Sequence, residues 1–267
     1  MADVAGGSTF HKVATLFRRG VLGSIQMSDD GPVSSSSPAA YARLLSLAVH
    51  EFRTPASVVG GYLRMLQRDN DPALSDRQRK MVDEADKAYA RIVAIVNELS
   101  DVSKIDGGSA VFDSQTFDLF NLVGEVAKEM HEAAERDVQL KPRGESAGAA
   151  MVGDRTRMAS AFSAFFRAIL REQPAAVTIA VDCRIARHDG TPAAMVLIAP
   201  EKDVQQSYKA TPTTFDELRG GLGLALPVAR RVIERHGGRV WAPAFSDADM
   251  GPGRAAIMVS LPLSAGS

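Results

Sequence analysis

One short stretch, "LAVHEFRTPASVVGGYLRML", gathers residues able to do chemistry together: His50, Glu51, Thr54 and Pro55. A neutral imidazole carries one nitrogen with a lone pair and one with a proton. A carboxylate beside it holds the N–H, fixes the tautomer and takes up positive charge while the other nitrogen attacks an electrophile. Glu51 is the neighbour that such chemistry needs. Thr54 lies four residues on, on the same helix face one turn away, where its hydroxyl can position a water. Pro55 has no N–H and crowds the Glu51 carbonyl, so it predicts a bend just past the histidine. The spacing does not suit a metal, because Thr stands where a second ligand would fall at the fourth position after His50.

These residues open the first of two long helical patterns. Leu45, Ala48, Phe52, Pro55, Val59, Tyr62 and Leu66 recur at three-four spacing, and so do Met81, Ala85, Ala88, Ile92, Ile95, Leu99 and Val102. Each row is a coiled-coil-like seam. Between them Asp71-Pro72 ends one helix, and Ser75 with Gln78 three residues on forms a capping box for the next. A short turn makes an antiparallel hairpin. Two helices alone cannot bury a stripe on both partners, whereas two hairpins paired into a four-helix bundle can. The pattern therefore predicts a homodimer through residues 40–105. Gly107-Gly108 closes a dimerisation domain over 39–108, and the polar run "SDDGPVSSSSP" marks residues 1–38 as a disordered arm or linker.

The remainder, 109–267, alternates between helices and strands. Helices are expected over about 118–136, 154–171 and 222–236, the second capped by Asp154 and the third stopped by Gly237-Gly238. Strands are expected near Val138–Leu140, Val177–Cys183, Met195–Ala199, Val240-Trp241 and Ala255–Leu261. This order predicts an α/β sandwich with its helices on one side of a mixed sheet. A chain of 267 residues holds two modest domains. Its net charge of −1 argues against nucleic acid as a bulk electrostatic partner. The single cysteine, Cys183, excludes an internal disulfide framework and fits a reducing compartment. No apolar run reaches membrane-spanning length and no secretory leader stands out, so a cytoplasmic protein is expected.

"HEFRTP" resembles the phosphoacceptor box of two-component sensor histidine kinases. The hairpin and "ELSDVSKIDGG" resemble that family's dimerisation and histidine phosphotransfer domain. "RGGLGLALPVARRVIERHGGRVWA" resembles the glycine-rich box of its ATP-binding domain, and "GPGRAAIMVSLPL" its closing strand. The resemblance covers about residues 40–264. It implies a dimeric four-helix bundle followed by an α/β sandwich of the histidine kinase ATPase type, in a bacterial cytoplasmic protein. It implies His50 as the phosphorylated residue, Glu51 as general base, Thr54 as the residue orienting water in phosphatase action, and a response-regulator aspartate as partner.

The nucleotide boxes depart from that family's pattern. In "DRTRMASAFSAFFRAILRE", Arg167 stands where the family has the Asn that holds Mg²⁺, and Ser163 where it has an earlier Asn. Arginine only donates and ligates no metal; it can instead meet a phosphate directly. In "VLIAPEKDVQQ", Ala199 or Pro200 replaces the Asp that reads adenine, and both glycines of that box are missing. Asp203 reaches the position only if the strand lengthens. Losing such a buried hydrogen bond to a carboxylate costs about 1.5–3 kcal/mol. Gly221, Leu222, Gly223 and Leu224 remain, before a helix whose N–H groups can meet an anion, although such glycines also serve a plain loop-to-helix junction. His236 reads as a cation at a helix C-terminus, and His11, His131 and His188 as structural or exposed. Three functions stay open: an ATP-dependent kinase, a phosphotransferase or phosphatase that does not use ATP, and a regulator-docking module.

Overall fold

The computed structural model describes residues 38–68, 74–130, 137–173, 176–188, 190–244 and 256–264. Residues 1–37 of the expected arm, the Asp71-Pro72 helix stop, His11 and His131 lie outside the described residues.

Helix α1 spans Pro38–Arg68 and runs through Pro55 without interruption; α2 spans Asp76–Asp106. The capping box forms as the spacing requires. The Ser75 hydroxyl accepts the Gln78 N–H, and the Gln78 carbonyl accepts the Ser75 N–H at 3.0 Å. At the far end the Gly107 N–H returns to the Ser103 carbonyl, and Gly108, at φ 71°, turns the chain away.

The hairpin closes on a different stripe from the one the spacing singles out. Its inner seam runs through Ala42, Val49, Gly60 and Leu63 on α1, and through Tyr89, Val96, Ser100 and Ser103 on α2. Two contacts set its register: the Ser103 hydroxyl donates to the Ala42 carbonyl at 2.8 Å, and the Tyr89 ring lies against Gly60. Much of the predicted stripe stays outside, with Phe52 56%, Tyr62 63% and Met81 63% exposed. Each helix therefore carries two apolar rows, and a single chain covers one of them.

The second part of the chain runs β1 (Gln115–Asp118), α3 (Leu119–Glu129), β2 (Val138–Gly144), β3 (Ala150–Gly153), α4 (Arg155–Glu172), β4 (Val177–His188) and β5 (Thr191–Pro200). It continues through α5 (Val204–Lys209), β6 (Pro212–Thr213), α6 (Ala225–Arg235), β7 (Arg239–Pro243) and β8 (Ile257–Pro262), with 3₁₀ turns at Glu201–Asp203 and Arg219–Gly221. The main sheet has the order β2-β4-β5-β8-β7-β6; β2 runs parallel to β4 and the other neighbours are antiparallel. Helices α3, α4 and α6 cover one face over a core that includes Phe120, Phe162, Phe165, Phe166 and Ile233.

The helices are not confined to one side. Val204 and Tyr208 of α5 pack on the other face, among Leu197, Trp241 and Met258. A six-residue helix is too short to show a hydrophobic period. The β1–β3 ribbon and β6 were not expected either, each having at most four residues. Asp154 caps α4 through the Arg157 N–H at 2.9 Å, as expected. Asp118 caps α3 the same way, and its second oxygen holds the Gly148 and Ala149 N–H groups. Cys183 is buried on β4, and burial, with the Asp182 charge second, pushes its thiol up to about 12.

Two measurements check this packing. A Cβ on Gly60 would lie 2.3 Å from the Tyr89 ring, whereas Gly61 faces open space. Gly60→Ala should destabilise the chain by about 1–3 kcal/mol, and Gly61→Ala should stabilise it by up to about 1 kcal/mol, read by thermal unfolding. Equal shifts for the two would contradict the hairpin register. Cys183 should resist alkylation in the native protein at pH 9 and react once denatured; rapid native labelling would contradict its placement.

Candidate functional site

His50 and Glu51 sit on the open side of α1. The His50 Nδ1 lies 3.4 Å from Glu51 Oε1, and the two side chains are 80% and 72% exposed. Neighbouring helical positions diverge by about 100°, so the two meet only at the outer limit of a hydrogen bond. With the proton on Nδ1 toward Glu51, Nε2 carries the lone pair and faces solvent. Thr54, one turn on, is also exposed. All three side chains are thus open to solvent.

The glycine-rich segment lies against the hairpin. Gly220, Gly221 and Gly223 all have φ between 60° and 69°, a region glycine enters without strain. A Cβ on Gly220 would fall 2.9 Å from the Ala168 backbone, so the 3₁₀ turn sits flush on α4. The Leu224 N–H, at the head of α6, donates to Glu98 Oε2 of α2 at 2.9 Å. Arg91, two turns earlier on α2, donates to the Gly221 carbonyl at 3.3 Å. Farther along, Arg231 of α6 grips Asp106 with two bonds of 2.7 and 3.0 Å, and Arg157 of α4 faces Asp101 at 3.5 Å. The Asp106 hydrogen bond holds the Arg231 guanidinium above its ordinary value, against partial burial. Interpolation between the Ala42–Ser103 and Gly60–Tyr89 contacts puts His50 at the height of Val96–Glu98. The head of α6 therefore rests on α2 at the level of the histidine.

The positions expected to read a base and hold a metal look different. Ala199 and Pro200 are buried at the end of β5. Asp203 does not extend that strand; it lies in the 3₁₀ turn leading to α5. Arg167 is exposed and Ser163 half-buried on α4. The loop before the glycines turns inward. Phe215 is buried edge-on to Phe165, with centroids 5.8 Å apart. Arg219 is buried too, forked onto Glu172 and bonded to the Ala256 carbonyl at 3.4 Å. A cavity of about 300 Å³ remains between α2, α4 and α6, with a floor of alanine and valine and a rim of Glu98, Asp101, Arg157 and Arg167.

His236 corrects the reading from sequence. Its Nε2 lies 3.0 Å from the Asp154 N–H, which can only donate, and its Nδ1 lies 2.7 Å from the Val232 carbonyl, which can only accept. The proton therefore sits on Nδ1 and the ring is neutral. It ties the end of α6 to the start of α4 and is not a C-terminal cation. His188 ends β4. Arg91, Glu98, Phe215 and Arg219 were not foreseen, because a helix-face charge or a lone loop aromatic has no spacing signature.

Residues 40–108 match the His Kinase A (phospho-acceptor) domain family. The chain is similar to the sensor histidine kinase GacS of Pseudomonas protegens, 25% identical over 204 residues, covering 72% of this chain and 22% of the relative. It is also similar to the circadian input-output histidine kinase CikA of Synechococcus elongatus, 22% identical over 251 residues, covering 88% of this chain and 32% of the relative. It spans about a fifth to a third of the length of these relatives. Its fold resembles that of full-length ShkA, solved in complex with AMPPNP, at TM-score 0.62 and 19% identity over 85% of this chain and 47% of that one. The Acinetobacter baumannii histidine kinase AdeS gives 0.51 and 17%, over 81% of this chain and 98% of that one.

Proposed function

We propose, from the match of residues 40–108 to the phospho-acceptor domain family and the likeness to sensor histidine kinases, that this chain is a member of the two-component sensor histidine kinase family, and that His50 carries a phosphoryl group and exchanges it with an aspartate on a response-regulator receiver domain. The observation that carries this reading is the solvent-facing His50–Glu51 pair, with Thr54 one turn on and with nothing of the second domain needed to complete it. The donor is a phosphoaspartate, an acyl phosphate. His50 Nε2 attacks its phosphorus, the bond to the acyl oxygen breaks, and the donor carboxylate leaves. The Nδ1 proton of the resulting imidazolium passes toward Glu51. Transfer to an acceptor aspartate is the reverse. Thr54 orients the water that hydrolyses a regulator's phosphoaspartate when the chain acts as a phosphatase.

Magnesium–ATP is a poor fit to this chain. Arg167 cannot ligate a cation, and Ala199 and Pro200 offer no carboxylate to an adenine amino group. Phe215 and Arg219 are buried against Phe165 and Glu172 of α4, and the Leu224 N–H at the head of α6 already has Glu98. The phosphotransferase reading is therefore preferred over the ATP-dependent kinase. Docking alone is disfavoured because a docking surface has no use for a histidine, a carboxylate and a hydroxyl on one exposed helix face.

A homodimer through residues 40–105 completes the reading. Phe52, Tyr62, Met81, Ile92 and Ile95 leave an apolar face on the hairpin, and burying each is worth about 1.5–3 kcal/mol. Association costs about 4–15 kcal/mol, which several such residues from each of two copies exceed. Bacterial relatives support a bacterial setting, which we take to be the cytoplasm.

Incubated with a phosphorylated receiver domain, the chain should acquire the phosphoryl group, and His50→Gln should abolish this. Glu51→Ala should slow transfer by about 10²–10⁴, while Thr54→Ala should spare transfer and slow dephosphorylation. Label from ATP and Mg²⁺ that depends on His50 would replace this reading with the autokinase. In sedimentation, the wild type should be a dimer and the double change Ile92→Glu with Ile95→Glu a monomer; a dimer that survives both charges would contradict the bundle.

A further inference from the structure

A cavity of about 320 Å³ lies between α3 and the β2–β4 edge of the sheet, lined by neither His50 nor the glycine-rich loop. That volume is at the lower end of the range for small-molecule sites. Its apolar walls are Phe120 and Val123 of α3, Pro142 of β2, and Val181 and Cys183 of β4. Phe120, Gly124 and Lys128 follow one another at one-turn spacing along α3, and all three line the cavity. Gly124 makes a notch in this row. A Cβ on it would meet no atom within 4 Å, so no neighbour requires the small residue, and a helix interior disfavours glycine. The opposite wall is fixed. Gly144, at φ 74°, brings β2 so close to β4 that a Cβ on it would fall 2.1 Å from the Cys183 carbonyl oxygen. The Glu145 N–H donates to that oxygen at 2.8 Å, and the Glu145 carboxylate accepts the Ile185 N–H at 3.0 Å.

The other charges on the rim are already engaged. Glu125 pairs with Arg155, Arg143 pairs with Glu201 at 3.1 Å, and Glu145 holds its backbone N–H. Lys128 is left, with no ion pair or hydrogen bond among the described residues. The side chains of Asn121 and Ser146 also have no partner there. Asn121 lies about 10 Å from Lys128 along the axis of α3. We infer that this cavity binds a small monocarboxylic acid with a flat apolar body. Lys128 holds the carboxylate, and the Asn121 amide and Ser146 hydroxyl reach the far end. A neutral apolar molecule leaves the ammonium unmatched, and a phosphate ester brings more charge than one ammonium balances. Phosphoryl exchange at His50 uses none of these residues, so the site and the proposed function can fail separately.

The probe is para-hydroxyphenylpropionate, with its primary amide as the uncharged control. Titrated into the full chain carrying labelled valine and isoleucine methyl groups, the acid should shift the Val123 and Val181 signals saturably. The amide on the wild type, and the acid on Lys128→Gln, should each bind about tenfold more weakly, through loss of one charge-assisted hydrogen bond. Gly124→Leu should fill the notch and abolish binding. It should melt no lower than the wild type, because leucine is the better helix former. Wild-type shifts that fail to saturate at Val123 and Val181 would overturn the site. So would shifts equally large at the exposed Ile92 and Ile95 of the hairpin, which would report adsorption on an apolar surface. Equal affinity for acid and amide would overturn the carboxylate, and undiminished binding to Gly124→Leu would overturn the cavity as its location.

Discussion

An antiparallel helical hairpin offers two apolar rows and has only one internal partner. That constraint organises this molecule. The inner row closes α1 on α2 through small residues, with Ala42 under the Ser103 hydroxyl and Gly60 under the Tyr89 ring. The outer row, with Phe52, Tyr62 and Met81, is left for another surface. His50 belongs to neither row. It lies on the solvent side of α1, where a reactive imidazole is reachable and the bundle needs nothing from it.

The second domain is built around the same hairpin. Its α4–α6 face meets α2 through charged side chains, with Ile105 packed against the edge of the apolar core. Exposed ion pairs taken singly contribute little, about 0–1 kcal/mol. Four contacts along one helix face, two of them to backbone groups at a helix head, define an orientation more than they supply stability. That orientation puts the glycine-rich loop beside the level of His50, while Phe215 and Arg219, before the loop, are buried against Phe165 and Glu172 of α4.

The fold was legible where the sequence carries a long period or a strong stop. Both hairpin helices, the Ser75–Gln78 box, the Asp154 cap and the Gly237-Gly238 stop are local signals with local causes. The short pieces were not. The β1–β3 ribbon, β6 and α5 have too few residues for a period, and α5 covers the sheet face that had been expected to be bare of helix. The row that the apolar spacing singled out stays largely exposed, and the row that pairs within the chain is the neighbouring one. It is marked by Gly, Ala and Ser, which an apolar count passes over. At the site, His50, Glu51 and Thr54 were visible because three chemical types fall at helical spacing within five residues. The tautomer of His236 was not visible, because it depends on a backbone N–H eighty-two residues away. Glu98 was hidden for the same reason: its partner lies 126 residues on.

The central claim is that phosphorus is held on the His50 imidazole. The most direct measurement is tandem mass spectrometry at neutral pH on the chain after exposure to a phosphorylated receiver domain. The account predicts one phosphoryl adduct on a fragment of α1, located on His50 and lost in acid. An adduct located on a serine, an aspartate or any residue outside α1, with His50 unmodified, would contradict it.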